Sequence, residues 1–142
     1  MGCMPLLFIG PLRLKMTYKE ISYAVVGAAL NVHKELGPGL LEKAYQGCLC
    51  YEIAKLGLNV EKEIAMPLVY KGVRLDCGFR MDILVENKLV IETKTVSEIN
   101  EIHTAQLLSY LKQGNYRLGL LINFNTVVLK NGIRRVVNGL DE

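Results

Sequence analysis

The spacing of the hydrophobic residues changes along this chain, and that change limits the folds it can adopt. From Thr17 to about Leu56 the apolar residues recur every three or four positions, as in amphipathic helices. From residue 59 to Thr95 apolar and polar residues largely alternate, as in β-strands. A third helical stretch and an apolar strand at Arg117 to Asn123 follow. We therefore predict an α/β fold, a single domain with a central mixed β-sheet flanked by helices.

The first two predicted helices have recognisable ends. Thr17 and Glu20 form a capping-box pattern, and Gly37-Pro38-Gly39 ends the first helix. The second helix is predicted from about Leu40 to Lys55. Its predicted buried side consists of Leu41, Tyr45, Cys48, Leu49, Ile53 and Leu56.

The remaining segments are predicted to be mostly strands. Pro67 interrupts the first of them, and Ser97 is the predicted cap of the third helix. The Asn131-Gly132 pair is a strong hairpin signal. In chain order the predicted segments are strands 59–70, 73–85 and 89–95, helix 98–112, strand 117–123, and a hairpin of strands 127–129 and 133–137.

Composition and the first residues exclude several classes of protein. The chain of 142 residues is 51% hydrophobic with a net charge of +3, which excludes disorder and permits a polyanionic partner. The basic residues follow the apolar run Met4 to Ile9, whereas in a secretory signal they precede the apolar run. No apolar run of the chain is long enough to span a membrane. We predict a flexible arm over 1–16 and a domain over 17–142, with the hypothesis that the natural start is Met16.

Four cysteines stand at positions 3, 48, 50 and 77. They are too few and too unevenly spaced for a secreted disulfide framework. We predict that the cysteines are small buried hydrophobes in a reducing, cytoplasmic protein.

Acidic side chains are predicted to meet on the hairpin formed by residues 79–85 and 89–95. Its three-residue loop pairs residues whose numbers sum to 174, which places Asp82 opposite Glu92 with Cβ atoms about 4.5 to 5.5 Å apart. Neighbouring carboxylates repel unless a cation lies between them, and their hard oxygens suit Mg²⁺ or Mn²⁺. Lys94 lies on the same predicted face and can orient an attacking water. The alternative is a solvated face with cross-strand ion pairs.

Two helices carry further candidate groups. Glu42 lies in the first turn of the second helix and Tyr45 one turn later. The third helix carries a polar stripe of His103, Gln106 and Tyr110. Each has a simpler explanation, namely a favourable helix dipole for Glu42, a core position for Tyr45, and solvation for the stripe. The opposite stripe, which we expect to pack on the sheet, is Ile99, Ile102, Ala105 and Leu108.

The sequence NVHKELGPG at residues 31–39, followed by Gly39-x-x-Glu42-x-x-Tyr45, resembles the GxxExxY protein family. That family is placed in the PD-(D/E)xK nuclease-like superfamily, which includes restriction endonucleases and Holliday-junction resolvases. The resemblance covers about Thr17 to Val137 and implies a restriction-endonuclease-like αβββαβ core.

The resemblance also implies site residues. Asp82 matches the first acid of the nuclease motif, Glu92 and Lys94 match its E-x-K half, and Met81 replaces the proline of the superfamily name. Glu42 matches an additional helical acid, so the implied metal ligands are Glu42, Asp82 and Glu92. Gln106 and Tyr110 match a Q-x-x-x-Y pattern, and with Tyr45 and His103 they are the expected substrate-positioning residues.

Three functions stay open on the sequence. The first is a Mg²⁺-dependent nuclease for which DNA is favoured and RNA stays an alternative, and which would act on a duplex as a homodimer by analogy with other nucleases. The second is a nuclease-fold module that binds nucleic acid or a protein partner without cutting it. The third is a metal-dependent hydrolase of a small phosphorylated substrate.

Overall fold

The structure is a computed structural model, and it describes residues 15–141. Residues 1–14, which make up most of the predicted arm, lie outside the described residues, and so does Cys3. Met16, the last residue of that arm, is half-buried against the core. Its carbonyl oxygen accepts a hydrogen bond from Lys88 Nζ at 2.9 Å.

Two helices lead into the sheet, and their ends follow from the sequence. Helix α1 spans Tyr18–Leu36 and α2 spans Glu42–Lys55. The predicted capping box is confirmed, since Glu20 N donates to Thr17 Oγ1 at 3.1 Å and Thr17 N donates to Glu20 Oε1 at 2.8 Å. Gly37 follows α1 with φ of 67°, a left-handed value that favours glycine at a helix end.

The buried side of α2 is narrower than predicted. Tyr45, Leu49 and Ile53, spaced four residues apart, are fully buried. Leu41, Cys48 and Leu56 are exposed instead, so their predicted burial is wrong. Leu41 precedes the helix as its N-cap with an extended backbone, and Leu56 follows its last residue, so neither continues the buried stripe.

Five strands form one mixed sheet in the order β1-β2-β3-β4-β5. Adjacent strands are antiparallel except for β3 and β4, which are parallel. The break predicted at Pro67 is confirmed by a register shift between Met66 and Leu68. The strands span Val60–Tyr70 (β1), Val73–Val85 (β2), Leu89–Lys94 (β3), Leu118–Asn123 (β4) and Ile133–Val137 (β5).

Helices cover both faces of this sheet and give it two separate cores. Helices α1 and α2 share one core with Ile83, Ile91 and Leu120. The third helix, α3 (Glu101–Gly114), shares the other core with Leu84, Val90 and Leu121. This arrangement confirms the predicted α/β fold with an αβββαβ order of elements. No helix within residues 15–141 is both long and apolar enough to cross a bilayer.

Helix α3 differs from its prediction in both its start and its buried side. Asn100, not Ser97, is the N-cap, since Asn100 Oδ1 accepts a hydrogen bond from His103 N at 3.0 Å. Leu107 and Leu111 are fully buried, whereas Ile102 is 74% exposed. Of the predicted stripe, Ile99 and Leu108 pack half-buried against the core that α3 shares with the sheet, whereas Ile102 and Ala105 are exposed, so the prediction is wrong for the last two.

The predicted hairpin around Asn131-Gly132 is wrong. Leu129–Gly132 form one turn of 3-10 helix, and β5 pairs with β4 rather than with residues 127–129. The tight turn buries Leu129 in the core with α1 and α2, which a solvent-exposed hairpin strand would not do. Two interactions therefore compete with the predicted hairpin. Leu129 is buried in the core, and β5 pairs with the edge of β4.

The prediction of buried cysteines is also wrong for most of the described positions. Cys48 and Cys77 are exposed, and Cys50 is half-buried. Cys48 lies beside the narrow buried stripe of α2, and Cys77 lies in the outer, exposed part of the β1–β2 hairpin.

Candidate active site

The acidic residues of β2 and β3 meet where these two strands separate. The ladder pairs Ile83 with Ile91, Leu84 with Val90 and Val85 with Leu89, which confirms the predicted sum of 174. It stops before Asp82 and Glu92, which were predicted to be the next pair. Asp82 and Glu92 are not paired through their backbones. The Asp82 backbone nitrogen donates a hydrogen bond to the Glu92 side chain, at Oε2 and 3.0 Å.

The ladder between β1 and β2 also has an unpaired step at Asp82. The ladder pairs Lys62 with Ile83 and Ile64 with Met81, and it passes over Glu63 and Asp82. Side chains change faces at this step, because Ile83 packs in the core with α1 and α2 whereas Met81 packs in the core with α3. The predicted single face of Phe79, Met81, Ile83 and Val85 is therefore wrong. Asp82 lies at the crossing point between the two faces.

Thr93, the middle residue of the E-x-K sequence, links two of the acids. Its backbone nitrogen and its Oγ1 lie 2.9 Å and 3.1 Å from Asp82 Oδ2. The same Oγ1 lies 3.5 Å from Glu42 Oε2 at the start of α2. A hydroxyl has one proton, so Thr93 Oγ1 donates to one of these carboxylates at a time. Thr93 is fully buried, and it fixes Asp82 relative to β3.

Gln46 supports Asp82 from α2. Its Nε2 donates to the carbonyl oxygen of Asp82 at 3.0 Å, and its side chain is buried. Sequence reasoning missed both Gln46 and Thr93. The available signals were a glutamine four residues after Glu42, hence on the same side of α2, and a hydroxyl inside the E-x-K sequence.

Burial and mutual repulsion favour the protonated forms of two of these acids. Glu92 is only 4% exposed, and burial first and the Asp82 carboxylate second raise its pKa from 4.5 to about 8. Burial also raises the pKa of Glu42, and the Asp82 carboxylate adds to the rise. A cation among these groups would favour their charged forms.

Lys94, Gln106 and Tyr110 lie near the acids on the α3 side. Lys94 Nζ donates to Gln106 Oε1 at 3.3 Å. The Tyr110 ring stacks on Phe79 with centroids 4.2 Å apart. Burial raises the Tyr110 pKa, and the negative charges of Glu92 and Asp82 raise it further. The structure therefore brings Glu42, Asp82, Glu92, Lys94, Gln106 and Tyr110 into one region.

Tyr45 and His103 have other contacts. The Tyr45 hydroxyl donates to Gly37 O at 2.5 Å and accepts from Leu40 N at 3.1 Å, and its ring stacks on Phe124. Tyr45 thus holds the turn that precedes Glu42. His103 Nδ1 accepts from Asn100 N at 3.1 Å at the start of α3. The Tyr45 hydroxyl and His103 Nδ1 thus bond within the protein, and the substrate-positioning role of both residues stays a prediction.

The donor chemistry of the site fits Mg²⁺ or Mn²⁺. Among the residues that the structure describes, no group of three or more His, Cys, Asp or Glu side chains is arranged to hold a metal ion. Mg²⁺ commonly binds one or two carboxylates and completes its shell with water and substrate phosphate oxygens. Asp82 and Glu92 supply that number of hard donors. The pKa of Glu92 is raised first by burial and then by the negative charge of Asp82, and a cation would offset that charge.

Comparison with known proteins identifies the family. A model of the PD-(D/E)XK nuclease superfamily matches residues 19–136, from the second residue of α1 to the penultimate residue of β5. Neither the curated proteins nor the solved structures contain a significant match. The five-stranded mixed sheet with flanking helices agrees with the restriction-endonuclease-like fold of that superfamily. The match covers most of the chain, so this protein belongs to the PD-(D/E)XK nuclease superfamily.

Proposed function

We propose that this protein is a Mg²⁺-dependent nuclease of the GxxExxY family that hydrolyses phosphodiester bonds of DNA. The observation that carries the proposal is the contact between Asp82 and Glu92 at the end of β3, two residues from Lys94. Stability alone does not require two acids at this position. The buried and protonated Glu92 is a cost to the metal-free fold that a catalytic function would explain.

Asp82 and Glu92 would hold the divalent cation, while Glu42, the third predicted ligand, lies beside them with Oε2 3.5 Å from Thr93 Oγ1. A bound Mg²⁺ or Mn²⁺ polarises a phosphoryl oxygen and lowers the pKa of water. Thr93 would keep Asp82 in place through its two hydrogen bonds, and Gln46 would do so through the backbone of Asp82. The protein's own contribution is therefore a set of carboxylates whose positions are fixed by buried neighbours.

Lys94 would act on the attacking water and on the charge that develops on the phosphate. Its ammonium group is held by the Gln106 amide oxygen, which accepts a hydrogen bond without neutralising the positive charge. Lys94 can then donate a hydrogen bond that orients the water, and it can stabilise negative charge on the phosphate oxygens. The Tyr110 hydroxyl lies near enough to Glu92 and Asp82 for their charges to affect it, and we assign it to substrate phosphate.

The proposal also covers the substrate, the oligomeric state and the location of the protein, and the roles of Tyr45 and His103. DNA as the preferred nucleic acid, a homodimer for duplex cleavage, and a cytoplasmic location are predictions from the sequence. Tyr45 acts here as a support for the turn before Glu42. His103 acts as part of the cap of α3.

A second candidate is a module that binds nucleic acid or a protein partner without cutting. The modest net charge of +3 favours it, because tight binders of duplex DNA commonly carry a larger positive charge. The intact set of Asp82, Glu92 and Lys94 favours the nuclease.

A cleavage assay separates the two candidates. Plasmid, single-stranded DNA and RNA are incubated with the protein and either Mg²⁺ or Mn²⁺. Lys94→Ala should abolish cleavage, whereas Lys112→Ala, an exposed lysine on α3, should not. Equal cleavage by the wild type and by Lys94→Ala would show that the activity is a contaminant. Binding without cleavage under every metal condition would favour the non-catalytic module.

A further inference from the structure

Glu63 joins two basic side chains beside the acidic site. Its carboxylate contacts Lys43 Nζ of α2 and lies 3.7 Å from Arg80 Nη1 of β2. Lys43 directly follows Glu42, and Arg80 lies two residues before Asp82. The hydrogen bond from Lys43 and its charge hold the pKa of the Glu63 carboxyl below its usual value. Two cations from separate elements thus converge on one anionic group, and the Lys43 charge is close enough to Glu42 to oppose the rise in its pKa that burial causes.

The backbone of β1 has an unusual conformation at Glu63. Glu63 has φ of 53°, a left-handed conformation that non-glycine residues adopt infrequently. It is also the residue that the β1–β2 ladder passes over, opposite Asp82. At this unpaired step of the β1–β2 ladder Glu63 lies opposite Asp82, and its carboxylate lies between Lys43 and Arg80.

All three side chains are accessible to a ligand. The Lys43 and Arg80 side chains are 76% and 64% exposed, and the Glu63 side chain is 32% exposed. The Arg80–Glu63 separation exceeds hydrogen-bond length, so the guanidinium retains donors for a second anion. Exposed ion pairs of this kind are weak and exchange readily for another anion.

We propose that Lys43 and Arg80 form a binding site for a backbone phosphate of the nucleic acid, and that the Glu63 carboxylate occupies this site in the free protein. The inference rests on the proposed nuclease function and names how the substrate is held. A phosphodiester presents anionic oxygens that Lys and Arg bind as they bind a carboxylate. The contact carries no base information, so it would bind any sequence.

Glu63 would then act as a competitor that the phosphate must displace. Removing its charge should leave Lys43 and Arg80 available and tighten binding, whereas removing either basic residue should weaken it. This opposite pair of effects separates a phosphate site from a merely structural ion pair. A structural pair would lose stability on either change and would gain no affinity from loss of Glu63.

The test measures binding of a fluorescent DNA duplex by anisotropy, in the Lys94→Ala background with Mg²⁺ present, so that cleavage does not interfere. Glu63→Gln should tighten binding about twofold to fivefold, in keeping with the strength of an exposed ion pair. Lys43→Ala and Arg80→Ala should each weaken binding and lower the slope of log affinity against log salt by about 0.9. The gain from Glu63→Gln should shrink when Lys43→Ala is also present.

Matched controls exclude a general charge effect. Glu52→Gln removes one acid from a different part of the surface, where Glu52 lines a cleft between α1 and α2. Lys55→Ala removes an exposed lysine from the opposite end of α2 from Lys43. Both controls should change affinity less than the site variants, and thermal melting should show that every variant is folded.

Two unfavourable results have different meanings. If DNA binds but Glu63→Gln binds no more tightly than Glu52→Gln, or Lys43→Ala and Arg80→Ala match Lys55→Ala, the phosphate site is wrong and the nuclease proposal stands. If the folded protein binds neither DNA nor RNA, the phosphate site and the nucleic-acid function are both wrong.

Discussion

Replacing Glu92 with Gln should stabilise the metal-free protein above pH 8, although it removes a proposed catalytic group. Glu92 is buried, and its pKa is raised to about 8 by burial and by the nearby Asp82 carboxylate. Gln has nearly the same shape, remains neutral at every pH, and keeps an oxygen that can accept the hydrogen bond from Asp82 N. The substitution therefore removes the buried charge and retains the main contact.

The direction of the effect follows from the two pKa values. An unfolded glutamate loses its proton near pH 4.5, whereas folded Glu92 keeps its proton up to about 8. The folded state binds more protons between these values, so the contribution of Glu92 to stability is fully present below pH 4.5 and is lost as the pH rises to about 8. One pKa unit corresponds to about 1.4 kcal/mol, which gives an upper limit of about 5 kcal/mol for this loss.

Urea denaturation in the presence of a chelator measures this effect. At about pH 8.5 the free energy of unfolding of Glu92→Gln should exceed that of the wild type by about 2 to 4 kcal/mol, below the upper limit because a buried site relaxes around a charge. At about pH 5 the gain should fall to about 1 kcal/mol or less, because folded Glu92 is then already neutral. Glu98→Gln, at an exposed position, should show no such gain. Equal or lower stability of Glu92→Gln at both pH values would refute the reasoning.

Three further predictions concern the groups around Glu92. Mn²⁺ at a hundredfold excess over Kd should stabilise the folded wild type by about 3 kcal/mol and so raise its melting temperature. Asp82→Asn should reduce that rise in melting temperature, and an equal rise would place the ion elsewhere. Thr93→Val removes the hydroxyl donor to Asp82 and should weaken Mn²⁺ binding about tenfold by calorimetry, whereas unchanged affinity would show that this hydrogen bond does not fix the ligand. Tyr45→Phe loses two hydrogen bonds to the turn before Glu42 and should lower the free energy of unfolding by about 1 to 3 kcal/mol in urea, and wild-type stability would contradict the observed contacts.

Local signals in the sequence account for much of the fold. The change from a helical to an alternating pattern predicts α1, α2 and the first three strands, because periodicity reflects which side of an element faces the core. Thr17 and Glu20 lie three residues apart, so their capping interaction depends only on the local chain. The loop Glu86-Asn87-Lys88 sets the pairing of β2 with β3, because a short loop leaves one register between the strands.

The residues that form the site could be predicted from the sequence, but their arrangement could be predicted less well. Asp82, Glu92 and Lys94 are identified by their spacing and by the family resemblance. Alternation assumed that β2 continues regularly through Asp82, but its side chains change faces between Met81 and Ile83, where the β1–β2 ladder passes over Glu63 and Asp82. Such an irregularity depends on another strand, and a reading of β2 and β3 alone cannot reveal it.

Long-range contacts also give individual residues partners that the sequence did not predict. Tyr45 was expected near substrate, but its hydroxyl bonds to the turn before Glu42 and its ring stacks on Phe124 of a distant segment. His103 was expected beside Gln106, but Asn100 forms the cap of α3 and binds its ring. In both cases the competing partner was a backbone group, and backbone partners leave no signal in residue type.

The most direct test of the central claim is anomalous diffraction from a crystal of the wild-type protein soaked with Mn²⁺. We expect an anomalous peak within coordination distance of the Asp82 and Glu92 carboxylates, and we expect it to be absent from Asp82→Asn crystals soaked in the same way. No peak at this position under saturating Mn²⁺, or a peak bound by other residues, would contradict the claim that these acids form a catalytic metal site.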